Sequence, residues 1–195
     1  QEFVGDEAHR GDMVWSAAVP EELRSRATAV IGNFPVSQAS QYTRLEWLQT
    51  FSAGVDAYIC PGVLPRGTMV TNASGAYGQS VSEHMFATMW ALMKNLNRYA
   101  SNQRDHQWQD EGPVLSPEGG IALIIGVGDI GSHFAQLAQS VGMRTFGVRR
   151  HADVPAKGIE KMYGFERLET LLPLADVVAM AVPRSPQTHH LLNAD

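Results

Sequence analysis

The segment that decides the fold is Ile121-Ala122-Leu123-Ile124-Ile125, followed directly by Gly126-Val127-Gly128-Asp129-Ile130-Gly131. The β-branched run is typical of a strand buried on both faces of a parallel sheet. Apolar residues then recur at helical spacing up to Gly142, where a helix ends, and these are Ile130, Phe134, Leu137 and Val141. In this strand-turn-helix context the first glycine permits a tight turn, the second lets the backbone meet a pyrophosphate, and the third allows close packing. The segment predicts a dinucleotide site at Gly126, Gly128, Asp129, Ile130 and Gly131; a glycine-rich turn without a ligand is the alternative.

The end of the next strand bears on which dinucleotide is bound. An acidic residue there would accept hydrogen bonds from the adenosine ribose of NAD, but Val148 is followed by Arg149, Arg150 and His151. A guanidinium at this position pairs with a 2′-phosphate, so the sequence favours NADP over NAD. A solvated loop end is the alternative, and Asp153 lies close enough to complicate the choice.

Outward from this unit, strands and helices alternate along the chain. Ser80 and Glu83 have the form of a capping box, and the apolar spacing after them predicts one long helix from Val81 to Tyr99, followed by a connecting loop from Asn102 to Glu118. The remaining predicted elements are a helix beginning at Glu21, a short buried strand at Ala27–Ile31, an apolar stretch at Leu45–Phe51, strands at Thr68–Asn72, Thr145–Val148 and Asp176–Val182, and a helix around Glu166–Leu172. This alternation predicts a doubly wound α/β architecture.

Bulk properties narrow the classes of partner. The formal net charge of -5 and the absence of basic stripes argue against nucleic acid or an anionic membrane surface, which leaves small molecules or further copies of the chain. The lone Cys60 excludes an internal disulfide and fits a reducing compartment. No apolar run approaches the length of a membrane span, and Gln1–Asp6 lacks the features of a signal peptide. We expect a cytoplasmic protein.

Nearly the whole chain resembles the D-isomer-specific 2-hydroxy-acid dehydrogenase family, whose members include glyoxylate and hydroxypyruvate reductases. The most specific match is Trp47-Leu48-Gln49-Thr50-Phe51-Ser52-Ala53-Gly54-Val55-Asp56, which is similar to the family's substrate loop. The other matching segments are Val70-Thr71-Asn72 through Ser82-Glu83-His84, the GxGxIG form of the glycine motif, and Asp176–Pro183 with Pro186-Gln187-Thr188 and Leu191-Leu192-Asn193.

The resemblance implies two doubly wound parallel-sheet domains, both incomplete in this chain. One is a flavodoxin-like substrate domain at residues 1–79, whose first strand is absent before Gln1, and the other is a Rossmann cofactor domain at residues 80–195. Backbone amides of Ser52, Ala53, Gly54 and Val55 are implied to hold the substrate carboxylate, and Val182, Pro183 and Thr188 to contact the cofactor. A homodimer formed through the cofactor domains is also implied.

The implied reaction transfers a hydride from NAD(P)H to the C2 carbonyl of a small 2-oxo acid and gives a D-2-hydroxy acid. The family uses an arginine, a glutamate and a histidine, which are expected beyond Asp195. No catalytic residue is therefore assigned, and the chain is expected to bind better than it catalyses. The particular 2-oxo acid does not follow from the sequence.

Several other conspicuous residues are better interpreted as structural than as functional. Glu83 and His84 point in different directions on a helix and do not form a dyad, and His189-His190 lacks the spacing of a metal site, so no metal is predicted. Met85, Met89 and Met93 predict a packed helix face. Tyr77 and Trp108 border a substrate pocket or anchor loops, with Tyr77 favoured for the pocket because it lies in the domain crossing.

Two other functions compete with the oxidoreductase. A non-catalytic dinucleotide sensor or corepressor-like protein would keep the same glycines and differ in the residues that follow Asp195. A methyltransferase with a nucleoside cofactor also uses a glycine-rich first turn, but it leaves the Ser52–Val55 resemblance unexplained.

Overall fold

The computed structural model describes residues 19–193. These residues divide into two compact units, the first ending at Ala76 and the second beginning at Tyr77. The predictions for Gln1–Asp6 and for the remaining residues before Val19 lie outside the described residues.

The first unit is built on a short parallel sheet. Helix α1 spans Glu21–Arg24, strand β1 Ala29–Ile31, a 3-10 helix Val36–Gln41, strand β2 Trp47–Gln49 and strand β3 Met69–Thr71. The strand order is β1-β2-β3, and Val30, Leu48 and Val70 lie side by side across the three strands. The prediction that the first strand is buried is wrong, because Ala29 and Ile31 are exposed and Val30 is only half-buried.

Aromatic residues close the core of this unit. The rings of Phe34 and Tyr42 stack with centroids 4.3 Å apart, and Tyr58 meets Phe34 edge-on. The Tyr58 hydroxyl accepts the Phe34 N–H at 3.1 Å and donates to the Phe34 carbonyl oxygen at 2.5 Å. Burial raises the pKa of Tyr42. These contacts fix the chain on both sides of β2, from which the loop at residues 51–55 emerges.

The second unit contains a four-stranded parallel sheet in the order β6-β5-β4-β7. Its elements are helix α2 (Gly78–Met93), helix α3 (Leu96–Arg104), strand β4 (Ile121–Ile125), helix α4 (Asp129–Ser140), strand β5 (Arg144–Val148), strand β6 (Lys161–Tyr163), helix α5 (Leu168–Leu171), which is flanked by 3-10 turns, and strand β7 (Val177–Met180).

Both faces of this sheet are covered. Ala122 and Ile124 of β4 pack with Phe134 of α4 and Met89 of α2 on one face. Leu123 and Ile125 face the other side, where they pack with Leu168 and Leu171 of α5. The predicted doubly wound α/β architecture is confirmed for this unit, and the interpretation of Met89 and Met93 as core residues is confirmed as well.

The single helix predicted from Val81 to Tyr99 is wrong. Asn95 adopts a left-handed backbone conformation, with φ of 54°, and separates α2 from α3. Its side-chain amide donates to the carbonyls of Glu111 (3.4 Å) and Pro113 (3.5 Å), so a contact distant in sequence sustains the break. Helical spacing alone contains no sign of that partner.

Several other boundaries differ from the prediction. Helix α2 begins at Gly78 with Tyr77 as its N-cap, so Ser80 lies inside the first turn and the capping box is wrong. Helix α3 continues into the loop predicted from Asn102. Strand β6 was not predicted because three residues, of which the first is charged, give too short a pattern.

Within residues 19–193, none of the helices combines the length and the apolar character that crossing a membrane requires.

A bidentate ion pair joins the start of β5 to the residue before β6. The guanidinium of Arg144 donates to both carboxylate oxygens of Glu160, at 2.7 and 3.1 Å. The hydrogen bond to Arg144 lowers the pKa of Glu160 below its ordinary value. A lowered pKa in the folded state means that the pair stabilises the fold above the ordinary glutamate pKa of about 4.3, and that this contribution is lost as the pH falls through the folded value.

We therefore expect Glu160→Gln to lower the melting temperature at pH 7 by a small amount, and we expect this effect to shrink as the pH falls below the ordinary glutamate pKa. Thermal unfolding of both proteins across this pH range measures the difference. Glu169→Gln is the matched control, because the carboxylate of Glu169 forms no ion pair within residues 19–193. A difference that stayed constant with pH would show that the pair does not carry the effect.

Candidate functional site

The turn between β4 and α4 brings backbone groups together at the carboxyl edge of the sheet. Gly126 has φ of +92°, a backbone conformation that residues with a side chain rarely adopt. Its N–H donates to the Val148 carbonyl at 2.8 Å. A Cβ on Gly126 would overlap the carbonyl of Ala181, just beyond β7. The first glycine of the motif thus lies where the ends of β4, β5 and β7 meet.

The second and third glycines have opposite surroundings. A Cβ on Gly131 would overlap the carbonyl oxygen of Gly126, so the helix can lie this close to the strand only without a side chain there. A Cβ on Gly128 would meet no atom within 4 Å, and Gly128 is exposed. Since Gly128 caps the N-terminus of α4, the open approach leads to unpaired helix amides, which suit a phosphate group. These residues fit the diphosphate of a dinucleotide.

The carboxylate of Asp129 is directed at the neighbouring helix. A Cβ on Gly78, the first residue of α2, would overlap that carboxylate. Oδ1 of Asp129 also lies 3.3 Å from Nδ1 of His133. A negative charge at the start of α2 is favourable to that helix. The carboxylate of Asp129 is therefore engaged, and its backbone amide is the group that can bind a phosphate. The neighbouring Ile130 is half-buried.

The two arginines after β5 have different environments. Arg149 donates to the carbonyls of His151 at 3.0 Å and Val127 at 3.3 Å, and also to that of Val154. Its guanidinium thus joins the glycine turn to the loop that follows β5. Arg150 is exposed. The sequence assigned both arginines to a 2′-phosphate, but the structure engages the Arg149 guanidinium with backbone carbonyls and leaves that of Arg150 exposed.

The segment after β7 forms a closed turn. The Thr188 hydroxyl donates to the Pro183 carbonyl at 2.6 Å and accepts the Ser185 N–H at 2.8 Å. Val182 lies against Gly126, since its Cγ1 is 2.7 Å from a Cβ placed there. Val182 and Pro183 therefore line the same edge of the sheet as the glycine turn, and Thr188 fixes the conformation of their loop.

In the first unit, the loop at Ser52–Val55 has its carbonyl groups engaged and its amides free. The Ser52 carbonyl accepts from the Thr50 hydroxyl (2.8 Å), the Ala53 carbonyl from the Asn72 side chain (2.8 Å), and the Gly54 carbonyl from the Ser52 hydroxyl (2.8 Å). The N–H groups of Ala53, Gly54 and Val55 donate to no atom of the described chain. A surface of donors without acceptors suits an anion.

The remaining candidate residues lie apart from these two loops or have other partners. Glu83 accepts a hydrogen bond from Gln79 at 2.9 Å rather than pairing with His84. His189 and His190 are exposed, and the described residues contain no cluster of His, Cys, Asp and Glu that could hold a metal. Trp108 is fully exposed, so its interpretation as a loop anchor is wrong, while Tyr77 is 41% exposed.

Sequence reasoning missed the side chains that shape the loops. The side chains of Thr50, Asn72 and Ser185 form hydrogen bonds with backbone groups two to nineteen positions away. Polar residues at the ends of β2 and β3 were the available signal for Thr50 and Asn72, because the carboxyl ends of parallel strands adjoin binding loops.

Comparison with known proteins gives consistent matches. The family model for the D-isomer specific 2-hydroxyacid dehydrogenase NAD binding domain matches residues 86–195. The chain is 25% identical over 186 residues to a glycerate dehydrogenase of Methylorubrum extorquens, covering 91% of this chain and 56% of the relative. It is 28% identical over 155 residues to a D-lactate dehydrogenase of Treponema pallidum, covering 77% and 45%.

Among solved structures, a D-isomer specific 2-hydroxyacid dehydrogenase family protein from Aeromonas salmonicida has a TM-score of 0.78 at 30% identity. The match covers 88% of this chain and 55% of that protein. The chain spans about half the length of the curated relatives named above.

The contrast between Gly131 and Gly128 gives a direct test of the glycine turn. We expect Gly131→Ala to lower the free energy of unfolding by roughly 2–3 kcal/mol, because the new methyl has no room. Gly128→Ala should cost at most about 1 kcal/mol, the difference between glycine and alanine at an N-cap, yet abolish dinucleotide binding. Urea unfolding and a fluorescence titration with dinucleotide measure the two effects. Unchanged dinucleotide affinity in Gly128→Ala would rule out this approach to the helix.

Proposed function

The chain belongs to the D-isomer specific 2-hydroxyacid dehydrogenase family, and from that premise we propose that the whole protein reduces a small 2-oxo acid to a D-2-hydroxy acid. When bound, the reduced nicotinamide supplies the hydride that the C2 carbonyl accepts. The observation that carries the proposal is the open, helix-capping Gly128 in a turn where Gly126 and Gly131 leave no space for side chains.

The cofactor side of the proposal rests on the second unit. The family model that matches residues 86–195 is that of a nicotinamide dinucleotide domain, and we assign residues 80–195 to cofactor binding. Within it, Gly126, Gly128, Gly131 and the amides of Asp129 and Ile130 would hold the diphosphate. The turn made by Val182, Pro183 and Thr188 would contact the nicotinamide half.

We assign NADP as the preferred cofactor, and Arg150 as the residue that selects it. The exposed guanidinium of Arg150 can form charge-assisted hydrogen bonds with a 2′-phosphate. Arg149 is occupied by three backbone carbonyls and would support the loop instead. The nearby carboxylate of Asp153 is the feature that would favour NAD.

The substrate side of the proposal rests on the first unit, residues 1–79. The free amides of Ala53, Gly54 and Val55, together with Ser52, would bind the substrate carboxylate. Any 2-oxo acid presents that carboxylate, and the relatives act on different acids according to their names, so we propose the substrate class without choosing a member.

The proton donor and the group that grips the substrate carbonyl would come from an arginine, a glutamate and a histidine beyond Asp195. The relatives are named as dehydrogenases, which favours an enzyme over a non-catalytic sensor on the same scaffold. Membership of this family also disfavours the methyltransferase.

We further propose a homodimer formed through the second unit. Apolar side chains are exposed along α2, α3 and the segment leading to β4, and these are Leu92, Leu96, Tyr99, Trp108, Val114 and Leu115. At the base of the Trp108 loop, the Asn95 amide donates to the Glu111 carbonyl and the Glu111 N–H donates to the Tyr99 hydroxyl, so the loop offers a defined surface. A second copy would cover these residues.

We expect the full-length protein to oxidise NADPH faster than NADH in the presence of small 2-oxo acids. Arg150→Ala should lower kcat/KM for NADPH by about 10- to 100-fold, since it removes a charge-assisted bond to the 2′-phosphate, and should leave NADH unaffected. Initial rates followed by the loss of reduced-cofactor absorbance measure both.

Arg167→Ala, which removes another exposed arginine of the second unit, is the matched control and should change neither rate. Faster turnover of NADH by the unmodified protein would contradict the NADP assignment and keep the enzyme. Tight cofactor binding without turnover of either cofactor would contradict the enzyme and favour the sensor.

The dimer is tested by charge substitution on the exposed apolar surface. We expect Leu96→Glu to convert a dimer to a monomer in sedimentation equilibrium, because the carboxylate would be buried without a partner. Leu174→Glu, at an equally exposed leucine elsewhere in the unit, should remain dimeric. A monomeric unmodified protein would contradict the proposal.

A further inference from the structure

Three successive peptide groups in the loop at Ser52–Val55 are each held by one side chain. The Thr50 hydroxyl binds the carbonyl of Ser52, the Asn72 amide binds that of Ala53, and the Ser52 hydroxyl binds that of Gly54, each at 2.8 Å. Each carbonyl belongs to the same planar group as the N–H of the following residue.

Because the peptide group is planar and trans, its N–H points away from its carbonyl. A side chain that holds the carbonyl therefore fixes the direction of the next N–H. Thr50 sets the N–H of Ala53, Asn72 sets that of Gly54, and Ser52 sets that of Val55. These are the three N–H groups that have no acceptor within the described chain.

We propose that Thr50, Ser52 and Asn72 are positioning residues, which hold three peptide N–H groups toward the carboxylate of the substrate. The inference rests on the proposed function, in which this loop binds that carboxylate. It assigns the side chains a role distinct from the backbone contact, since none of the three side chains needs to touch the substrate.

The anchors of these side chains support the assignment. Thr50 is fully buried, and the Ser52 carbonyl receives a second bond from the Ala73 N–H at 3.2 Å. The Asn72 side-chain oxygen accepts the Ser74 N–H at 3.2 Å, which leaves its NH2 group directed at Ala53. The loop is thus held from the ends of both β2 and β3.

The negative charge of Asp56 beside the loop makes the orientation of these N–H groups important for binding an anion. Oδ1 of Asp56 lies 3.6 Å from the Cβ position at Gly54, so the site has a carboxylate beside it. No arginine or lysine of the described chain contacts the loop in a hydrogen bond or ion pair. The aligned amides would have to supply the attraction, and a single rotated peptide would present a carbonyl oxygen to the anion.

The test uses the full-length protein labelled with ¹⁵N, and the probe is oxamate, an unreactive analogue of a 2-oxo acid. Thr50→Val keeps the shape of the side chain and removes the donor, whereas Thr50→Ser keeps the donor. Ser52→Ala removes a second donor at a half-buried position, where folding is less at risk. Thr68→Val is the control, because the Thr68 hydroxyl binds the carbonyls of Leu45 and Pro65 instead.

We expect oxamate to shift the amide resonances of Ala53, Gly54 and Val55 in the unmodified chain. Thr50→Val and Ser52→Ala should each weaken oxamate binding about tenfold, the loss of one well-oriented hydrogen bond to a charged group. Thr50→Ser and Thr68→Val should bind as the unmodified chain does.

Equal affinity in Thr50→Val, Ser52→Ala and the unmodified chain would overturn the positioning role and leave the carboxylate site intact. An unmodified chain whose resonances at residues 53–55 do not respond to oxamate would overturn the carboxylate site of the proposed function, and the positioning role with it.

Discussion

The second unit depends on one backbone contact, the approach of Gly131 in α4 to the carbonyl oxygen of Gly126. The contact fixes the start of α4 directly above the end of β4. The same turn lies against the Ala181 carbonyl after β7 and is bonded to Val148 at the end of β5. The three strand ends and the helix amides therefore form one edge, because Gly126 and Gly131 both lack a side chain.

The two anion-binding surfaces that we propose would be built by different means. In the second unit the helix itself supplies unpaired amides at its N-terminus, so the sequence needs only small residues that let a ligand approach. In the first unit there is no helix at the loop, and side chains from neighbouring strand ends would have to orient each peptide group. Glycine spacing predicts the first kind of site, whereas the second would depend on polar residues scattered along the chain.

This difference explains what could be predicted from the sequence. The β-branched run at Ile121–Ile125 and the glycines after it predicted the architecture and the tight turn between β4 and α4, because local pattern and tertiary structure agree there. The break at Asn95 depends on carbonyls at Glu111 and Pro113, and the role of Arg149 depends on the carbonyl of Val127. Such contacts join distant segments, and residue type alone does not disclose which arginine is free.

The packing of the Asp129 carboxylate against Gly78 ties two positions together that are remote in sequence. Any side chain at position 78 would displace the carboxylate, and a residue bulkier than aspartate at position 129 would press on the start of α2. The two positions should therefore vary as a pair among homologues. A chimaera that imports the glycine turn from a relative would also need to import the residue that opens α2.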